Sequence, residues 1–289
     1  MNTTVLAEGK NSFPMLQIDN NYATALISLY GAQVLSFKPK SQMREMLFVS
    51  DNAYYEKGKA IKGGIPICWP WFGDDPENLG RTAHGFARNT LWHHESTTST
   101  TSGETQVTLC LNDTETTQKL WPHAFKLTLL VTIGKTLSLS LQTTNTGNDA
   151  FTITQALHTY FAIGDIKQTH VAGLDKVHYI DKTVKSDTPI EQMGDVIVDQ
   201  EVDRIYTDAP SEITLCDEKN QQIKIRSSGS KTTVVWNPWA EGAAKMGDLS
   251  DDGYQYFICV ETANAASDTI QIAPQESFKI EVEYTVIPK

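Results

Sequence analysis

Strict alternation of apolar and polar residues is the feature that most constrains how this chain folds. In residues 137–142 Leu alternates with Ser and Gln, and in residues 278–286 Phe, Ile, Val and Tyr alternate with Lys, Glu and Thr. The same period of two occurs in residues 107–111. A period of two turns one side of an extended segment toward a core and the other toward solvent, so half-buried β-strands are predicted here.

The spacing of these segments predicts the fold class. Turn-forming residues separate them, for example at residues 146–149. Helical patterns are scarce: short helices are predicted over residues 113–120, ending before Pro122, and over residues 247–253. Many short strands and few helices indicate an all-β fold, a sandwich or barrel of antiparallel sheets. Because no linker composition interrupts the chain and all-β domains often exceed about 200 residues, residues 1–289 are predicted to form a single domain.

Charge and hydropathy exclude several kinds of partner. The 289 residues carry a formal net charge of −11 at pH 7, so the chain is expected to repel nucleic acid and anionic lipid. Its apolar runs fall far short of the ~20 residues that span a bilayer, and residues 1–14 lack the pattern of a signal peptide. We therefore expect a cytoplasmic protein, a monomer, without a nucleic-acid or membrane partner.

The pattern of the four cysteines also indicates a reducing compartment such as the cytoplasm. They are far apart in the sequence and form no C-x-x-C pair; they are Cys68, Cys110, Cys216 and Cys259. In a chain of this length such cysteines are predicted to be buried thiols in a reducing compartment rather than a disulfide framework. Nothing beside any of them supports a catalytic thiol.

Two irregular stretches interrupt the strand pattern and are candidates for a binding surface. Residues 58–89 and 236–253 are rich in Gly, Pro and aromatic residues. Long irregular connections in compact domains are usually functional or disordered, and aromatic residues this dense argue against disorder. The aromatic side chains either belong to the core or offer flat faces to a sugar ring, and the sequence leaves both interpretations open.

Two titratable residues stand out among the strands. His158 shares one side of the strand-like segment 151–161 with Thr and Ala, which leave room for a ligand, although the spacing alone favours a structural histidine. Glu261 follows the apolar run 257–260, where a carboxylate is costly unless it is paired or hydrogen-bonded. A solvated carboxylate at the end of a strand is the alternative for Glu261.

Basic residues carry more information than usual in such an acidic chain, because an anionic ligand would need local positive charge. Arg88 lies in a His-Gly-Phe-Ala-Arg segment with His84, and Arg can bind a phosphate or carboxylate through two hydrogen bonds. A surface salt bridge and a packing histidine are the alternative. Lys62 precedes Gly63-Gly64, but the P-loop pattern is not completed. G-x-G-x-x-G, H-E-x-x-H and G-x-S-x-G motifs are absent from the sequence.

Five segments, taken in order along the chain, resemble the glucose-6-phosphate 1-epimerases. These are hexose-6-phosphate mutarotases of the aldose 1-epimerase, or galactose mutarotase-like, superfamily. The segments are KGGIP (62–66), HGFARN (84–89), LHTYF (157–161), VDRIY (202–206) and VETAN (260–264). The resemblance implies a large antiparallel β-sandwich, the galactose mutarotase-like supersandwich, with a sugar bound in a cleft on one sheet.

The resemblance also implies roles for individual residues. Glu261 would be the general base and His158 the general acid of anomer exchange on a hexose 6-phosphate, with D-glucose 6-phosphate the expected substrate. His84 and Asp203 would hydrogen-bond sugar hydroxyls, and Arg88 with Lys62 would hold the 6-phosphate. Because the reaction is redox-neutral, neither a cofactor nor a metal is expected.

The chain departs from the family pattern at two positions, and other functions stay open. Lys62 stands where some members carry Arg, which keeps the charge but loses the bidentate fork, and Ala83 stands where some carry Gln. The alternatives are a non-catalytic carbohydrate-binding sandwich, an aldose 1-epimerase for free hexoses, and a glycoside hydrolase or lyase. A hydrolase would use Asp203 and Glu261 as its two carboxylates.

Overall fold

The computed structural model describes residues 2–217 and 221–288, and strands dominate these ranges. The larger of two main sheets has nine strands within them. Its strands are β6 (His93–Ser99), β7 (Thr105–Asn112), β8 (Phe125–Ile133), β9 (Leu137–Asn145), β13 (Thr169–Ala172), β16 (Val196–Ile197), β18 (Glu212–Asp217), β19 (Gln221–Ser228) and β23 (Ser277–Pro288). Across the sheet they follow the order β16-β13-β18-β19-β23-β9-β8-β7-β6.

The second main sheet has eight strands in the described part of the chain. Its strands are β5 (Ile67–Cys68), β11 (Gln155–Leu157), β12 (Tyr160–Ala162), β14 (His178–Asp181), β15 (Ile190–Glu191), β17 (Val202–Thr207), β20 (Thr232–Asn237) and β21 (Phe257–Asn264). They follow the order β15-β14-β17-β20-β21-β11-β5, and β12 also pairs with β21. The pairings in both sheets are antiparallel.

Two smaller sheets and a few short helices complete the description. The four-stranded sheet consists of β1 (Thr3–Glu8), β2 (Pro14–Asp19), β3 (Ala23–Ser28) and β4 (Gln33–Pro39), and β10 (Phe151–Ile153) pairs with β22 (Ile270–Ile272). The helices are α1 (Glu115–Leu120), α2 (Trp239–Ala243) and the 3-10 turns Lys10–Ser12, Ala87–Asn89, Ile166–Gln168 and Gly253–Tyr256. None of the helices in the described ranges is both long and apolar enough to cross a membrane.

The two main sheets face one hydrophobic core, so the predicted β-sandwich is confirmed. Residues alternate between buried and partly exposed along the whole of β8 and most of β9, as the sequence period requires. The buried members of these strands join one cluster with residues of β20 and β21 from the facing sheet. A hydrogen bond of 2.6 Å between the Thr159 and Tyr284 hydroxyls also links the two layers.

One of the two predicted helices is confirmed and the other is wrong. The helix expected over 113–120 is confirmed as α1, where the Thr114 side chain accepts a hydrogen bond from the Thr117 amide. The helix expected over 247–253 is wrong: residues 247–252 form turns, and helical structure begins only at Gly253. Gly, Ser and Asp fill this stretch, and their side chains and backbone freedom favour turns over a helix interior.

The segment 151–161 is divided into three short strands, β10, β11 and β12, with Thr154 and residues 158–159 between them. The alternation predicted for this segment nevertheless persists, because Thr154, His158 and Tyr160 all line one cleft. On the neighbouring strand β21 every residue is buried. The sheet therefore positions the His158 imidazole and the Glu261 carboxyl group where they are shielded from solvent.

Candidate active site

His158 and Glu261 form a buried pair at the centre of the eight-stranded sheet. Glu261 lies within β21, between β20 and the short strands β11 and β12, and His158 lies in the gap between those two. The His158 Nε2 atom is 3.4 Å from the Glu261 Oε1 atom. The residues are 7% and 2% exposed, so a solvated carboxylate at the strand end does not describe Glu261.

Each member of the pair keeps one polar atom available for another group. The His158 Nδ1 and Glu261 Oε2 atoms are buried and have no hydrogen-bond partner among the described residues. Buried polar groups are nearly always hydrogen-bonded, and those that are not call for a specific explanation. Both atoms belong to residues that line the same cleft, so a polar ligand in the cleft can supply the partners.

Burial acts on the two groups in opposite directions. Desolvation raises the pKa of Glu261 well above its ordinary value, and the nearby Asp203 charge adds to that rise while Arg88 opposes it. Desolvation lowers the pKa of His158 well below its ordinary value, and His84, Arg88 and Lys62 lower it further. Both shifts favour the neutral form of each group. When the two side chains share one proton, burial therefore favours its place on the Glu261 carboxyl, with His158 neutral.

The pair lies in a cleft of about 900 Å³. The structure brings all six residues singled out from the sequence into its lining: Lys62, His84, Arg88, His158, Asp203 and Glu261. The irregular stretches 58–89 and 236–253 both contribute, as expected of a binding surface. A volume of this size is in the range of small-molecule sites.

His84 is held as a neutral hydrogen-bond donor. Its Nδ1 atom accepts a hydrogen bond of 3.2 Å from the Gly73 amide, which leaves the proton on Nε2. Burial, with the charges of Arg88 and Lys62, lowers its pKa to about 3. The segment is fixed by Gly85, whose φ is +70° and where an added Cβ would lie 2.0 Å from the Trp69 carbonyl oxygen. A residue with a side chain at position 85 would therefore collide with the backbone.

Arg88 and Lys62 bring positive charge to the cleft. Arg88 donates from Nη2 to the Ala83 carbonyl at 3.1 Å, and its buried Nε has no partner in the described part of the chain. The Lys62 Nζ atom lies 3.4 Å from the Asp248 Oδ1 atom and 5.9 Å from the centre of the Trp236 ring.

The glycines after Lys62 allow close packing of the backbone. A Cβ atom at Gly64 would lie 2.2 Å from the Val34 carbonyl oxygen.

Asp203 contributes a carboxyl group with an altered proton affinity. It lies on β17 opposite Trp236 of β20. Burial and then the Glu201 charge raise its pKa to about 6, against a smaller opposing effect of Lys182. Near neutral pH it can therefore exchange between a pure acceptor and a group that also donates a hydrogen bond.

The aromatic residues are divided between core and cleft. Trp69 and Trp71 are buried at 0% and 4% exposure, whereas Phe72 and Trp236 line the cleft. Tyr160, which the sequence analysis did not single out, stacks on the His158 ring at 4.9 Å and 8°. The sequence could have predicted this contact, because Tyr160 lies two residues after His158 and therefore on the same side of the segment.

Other cleft residues had no signal in the sequence. Lys182, Asp187 and Met246 also line the cleft. All four cysteines are buried and lie outside any disulfide, as expected. Among the described residues, no group of three or more His, Cys, Asp or Glu side chains is arranged to hold a metal ion.

Comparison with known proteins identifies the family. The aldose 1-epimerase family model matches residues 14–285. A protein of Cenchrus ciliaris named "Putative glucose-6-phosphate 1-epimerase" is 37% identical over 273 residues, which is 91% of this chain and 82% of the relative. A protein of the same name from Escherichia coli K12 is 36% identical over 267 residues, covering 91% of this chain and 86% of the relative.

Solved structures agree with the sequence comparison. The crystal structure of a "putative mutarotase" from Salmonella typhimurium superposes with a TM-score of 0.89 at 30% identity, covering 99% of this chain and 97% of the other. The galactose 1-epimerase from Lactobacillus acidophilus superposes with a TM-score of 0.76 at 14% identity, covering 100% and 99%. The second likeness bears on the fold alone.

Proposed function

The chain belongs to the aldose 1-epimerase family, and from this premise we propose that it interconverts the α and β anomers of a hexose 6-phosphate, with D-glucose 6-phosphate the preferred substrate. As a member of the family the chain is an isomerase. The phosphate on the substrate and the roles of individual residues form the proposal. Its main support is one observation: the cleft that holds the His158–Glu261 pair is also lined by the cationic side chains of Lys62 and Arg88, in a chain of net charge −11.

In the proposed reaction Glu261 takes the proton of the C1 hydroxyl while protonated His158 gives a proton to the ring oxygen O5. The C1–O5 bond breaks, and an open-chain aldehyde remains. Rotation about C1–C2 presents the other face of the carbonyl, and ring closure reverses both proton transfers. Because O1 and O5 are both bonded to C1, the acid and the base must lie close together, and the 3.4 Å between His158 and Glu261 meets this requirement.

The remaining cleft residues have binding roles in this proposal. His84, with its proton on Nε2, donates to a sugar hydroxyl, and Asp203 accepts from another. Phe72 and Trp236 offer apolar ring surfaces to the C–H groups of the sugar. Arg88 and Lys62 bind the 6-phosphate, and charge-assisted hydrogen bonds of this kind contribute about 1.5–3 kcal/mol each.

The phosphate also has a part in the chemistry. Arg88 and Lys62 are among the groups that lower the pKa of His158, after burial and His84. A bound dianion would offset both positive charges and so favour the protonated imidazole that the acid role requires. Glucose 6-phosphate is therefore expected to exceed free glucose in kcat as well as in affinity.

Exchange spectroscopy on glucose 6-phosphate tests the proposal. The wild-type protein is expected to accelerate exchange between the α and β resonances above the buffer rate, in a saturable manner. His158→Ala and Glu261→Gln are each expected to lower kcat at least about 100-fold, because a positioned acid or base contributes about 10²–10⁴. The matched controls are His93→Ala and Glu276→Gln, two exposed residues outside the cleft.

Each alternative function has its own outcome in this assay. Equal kcat/KM for glucose and glucose 6-phosphate would indicate an epimerase for free hexoses. Saturable binding without acceleration of exchange would indicate a carbohydrate-binding sandwich. Release of reducing sugar from a glycoside would indicate a hydrolase that uses Asp203 and Glu261. Near-wild-type exchange in either cleft variant would refute the acid–base assignment.

A further inference from the structure

Lys62 lies at the boundary between two cavities. It lines the main cleft and also a side cavity of about 380 Å³, which Lys59 and Asp248 line as well. Arg88 and Tyr160 are likewise shared by the two. The Lys62 ammonium group can therefore be reached by a ligand on the cleft side while it keeps a protein partner on the other side.

That partner is Asp248, a residue that the proposed reaction does not use. Its Oδ1 atom is 3.4 Å from the Lys62 Nζ atom, and the two side chains are 20% and 15% exposed. The other close group is the Met246 Sδ atom, 3.6 Å from Nζ and only a weak acceptor. Asp248 thus balances the charge of Lys62 from the side cavity.

The turn that carries Asp248 is anchored on both sides. The Met246 amide donates to the Ala243 carbonyl at 2.9 Å, which ties the turn to the end of α2. Leu249, the next residue along, is 3% exposed and packs in a cluster with Tyr160 and Phe257. The Asp248 carboxylate is therefore held at the cavity boundary by packing as well as by its ion pair.

We propose that Asp248 is a specificity-determining residue, which sets the strength of phosphosugar binding by competing with the substrate's phosphate for the Lys62 ammonium. The inference rests on the proposed function. A Lys62–Asp248 pair is close to neutral overall, whereas Arg88 has no ion-pair partner among the described residues and so offers its full charge to an incoming phosphate. The phosphate must then share Lys62 with a carboxylate of the same sign as itself. A neutral sugar does not take part in this competition.

The change that isolates this effect is Asp248→Asn, which removes the charge and keeps an oxygen acceptor for Lys62. KM for glucose 6-phosphate is expected to fall about three- to fivefold, the upper part of the range for a partly exposed ion pair. KM for glucose is expected to stay within about twofold. In a Lys62→Met background, Asp248→Asn is expected to change KM for glucose 6-phosphate by less than about twofold, since the competition needs the ammonium group.

Asp251→Asn is the matched control, because it removes the same charge from an exposed position of the same turn region. An equal fall in KM for both variants would show a general field effect and overturn the proposal. An unchanged or raised KM for glucose 6-phosphate in Asp248→Asn would also overturn it, by showing that the carboxylate helps to position Lys62 rather than to oppose the phosphate.

Binding measurements separate failure of the inference from failure of the proposed function. Calorimetric titration with inorganic phosphate and with glucose 6-phosphate does not depend on catalysis. If the wild-type protein does not accelerate anomer exchange, the proposed reaction fails, yet tighter phosphate binding by Asp248→Asn would still support the competition. If exchange is catalysed and phosphate affinity is the same in both proteins, the inference alone fails.

Discussion

Replacing Asp203 by Asn is expected to stabilise the protein, by an amount that grows as the pH rises from about 3 to about 7. The substitution keeps the size of the side chain and removes its ability to ionise. In the folded protein, burial and the Glu201 charge raise the pKa of Asp203 from 3.8 to about 6. The ionised carboxylate is thus less favourable in the cleft than in water, which is a frequent property of functional sites.

The magnitude follows from proton linkage. One pKa unit corresponds to about 1.4 kcal/mol, so a shift from 3.8 to about 6 amounts to about 3 kcal/mol. Below about pH 3 the carboxyl is protonated in the folded and unfolded states, and the wild type carries no penalty. As the pH rises from about 3 to about 7 the unfolded state ionises first, and the wild type loses this stability. Above about pH 7 the loss is complete and constant.

Urea unfolding followed by far-UV circular dichroism measures the difference. Asp203→Asn is expected to exceed the stability of the wild type by less than about 1 kcal/mol at pH 4 and by about 3 kcal/mol at pH 7.5. Asp199→Asn, an exposed carboxylate outside the cleft, serves as the control, with a difference within about 0.5 kcal/mol at both pH values. A variant that is less stable than wild type at pH 7.5, or a gain that is equal at both pH values, would refute the reasoning.

Two further substitutions test the proposed phosphate contact of Arg88 and the backbone conformation at Gly85. Arg88→Ala is expected to raise KM for glucose 6-phosphate about 10- to 100-fold, because a charged hydrogen-bonding group is lost, while KM for glucose changes little. The exchange assay measures both KM values. An unchanged preference for glucose 6-phosphate over glucose would contradict the proposed role of Arg88. Gly85→Ala is expected to cost about 3 kcal/mol or more in urea unfolding, since its Cβ would lie 2.0 Å from the Trp69 carbonyl oxygen. Gly194→Ala is the control, with the same φ of +70° and no atom within 4 Å of the added Cβ, and is expected to cost only about 1 kcal/mol.

The sheets were predictable from the sequence because the strand period is a local property. Along β8 and β9 the alternation of apolar and polar residues appears almost unchanged as alternation of burial. The same period correctly grouped His158 with Thr154, although the segment is interrupted between them. The region 247–253 was predicted wrongly because a few polar residues have no period that distinguishes a helix from successive turns.

The pairing of residues across the sheet was not predictable from local patterns. Glu261 and His158 are about a hundred positions apart, and they meet because β21 pairs with both β11 and β12. Spacing alone left His158 open to a structural role, and only the resemblance of five ordered segments singled out the pair. The contact between Lys62 and Asp248 had no signal at all, since an ion pair between distant turns depends on how those turns pack.

The opposite effects of burial on His158 and Glu261 suit the proposed reaction, although a charged imidazole beside a carboxylate is what its first step requires. An ion pair and a neutral pair contain the same single proton, so the two forms differ only in where that proton lies. Ring opening takes a proton onto Glu261 and removes one from His158, which converts the ion pair into the neutral pair. Burial favours the neutral pair through the raised pKa of Glu261 and the lowered pKa of His158.

The buried pair therefore favours the open-chain state, whereas a phosphate bound by Arg88 and Lys62 favours the ion pair that belongs to the closed ring. A catalyst of a reversible isomerisation works fastest when neither state is much more stable than the other on the enzyme. On this argument the phosphate contacts balance the desolvation of the pair. Free glucose, which lacks the phosphate, should bind with the pair already neutral and should show the lower kcat. A kcat for glucose equal to that for glucose 6-phosphate would contradict this balance.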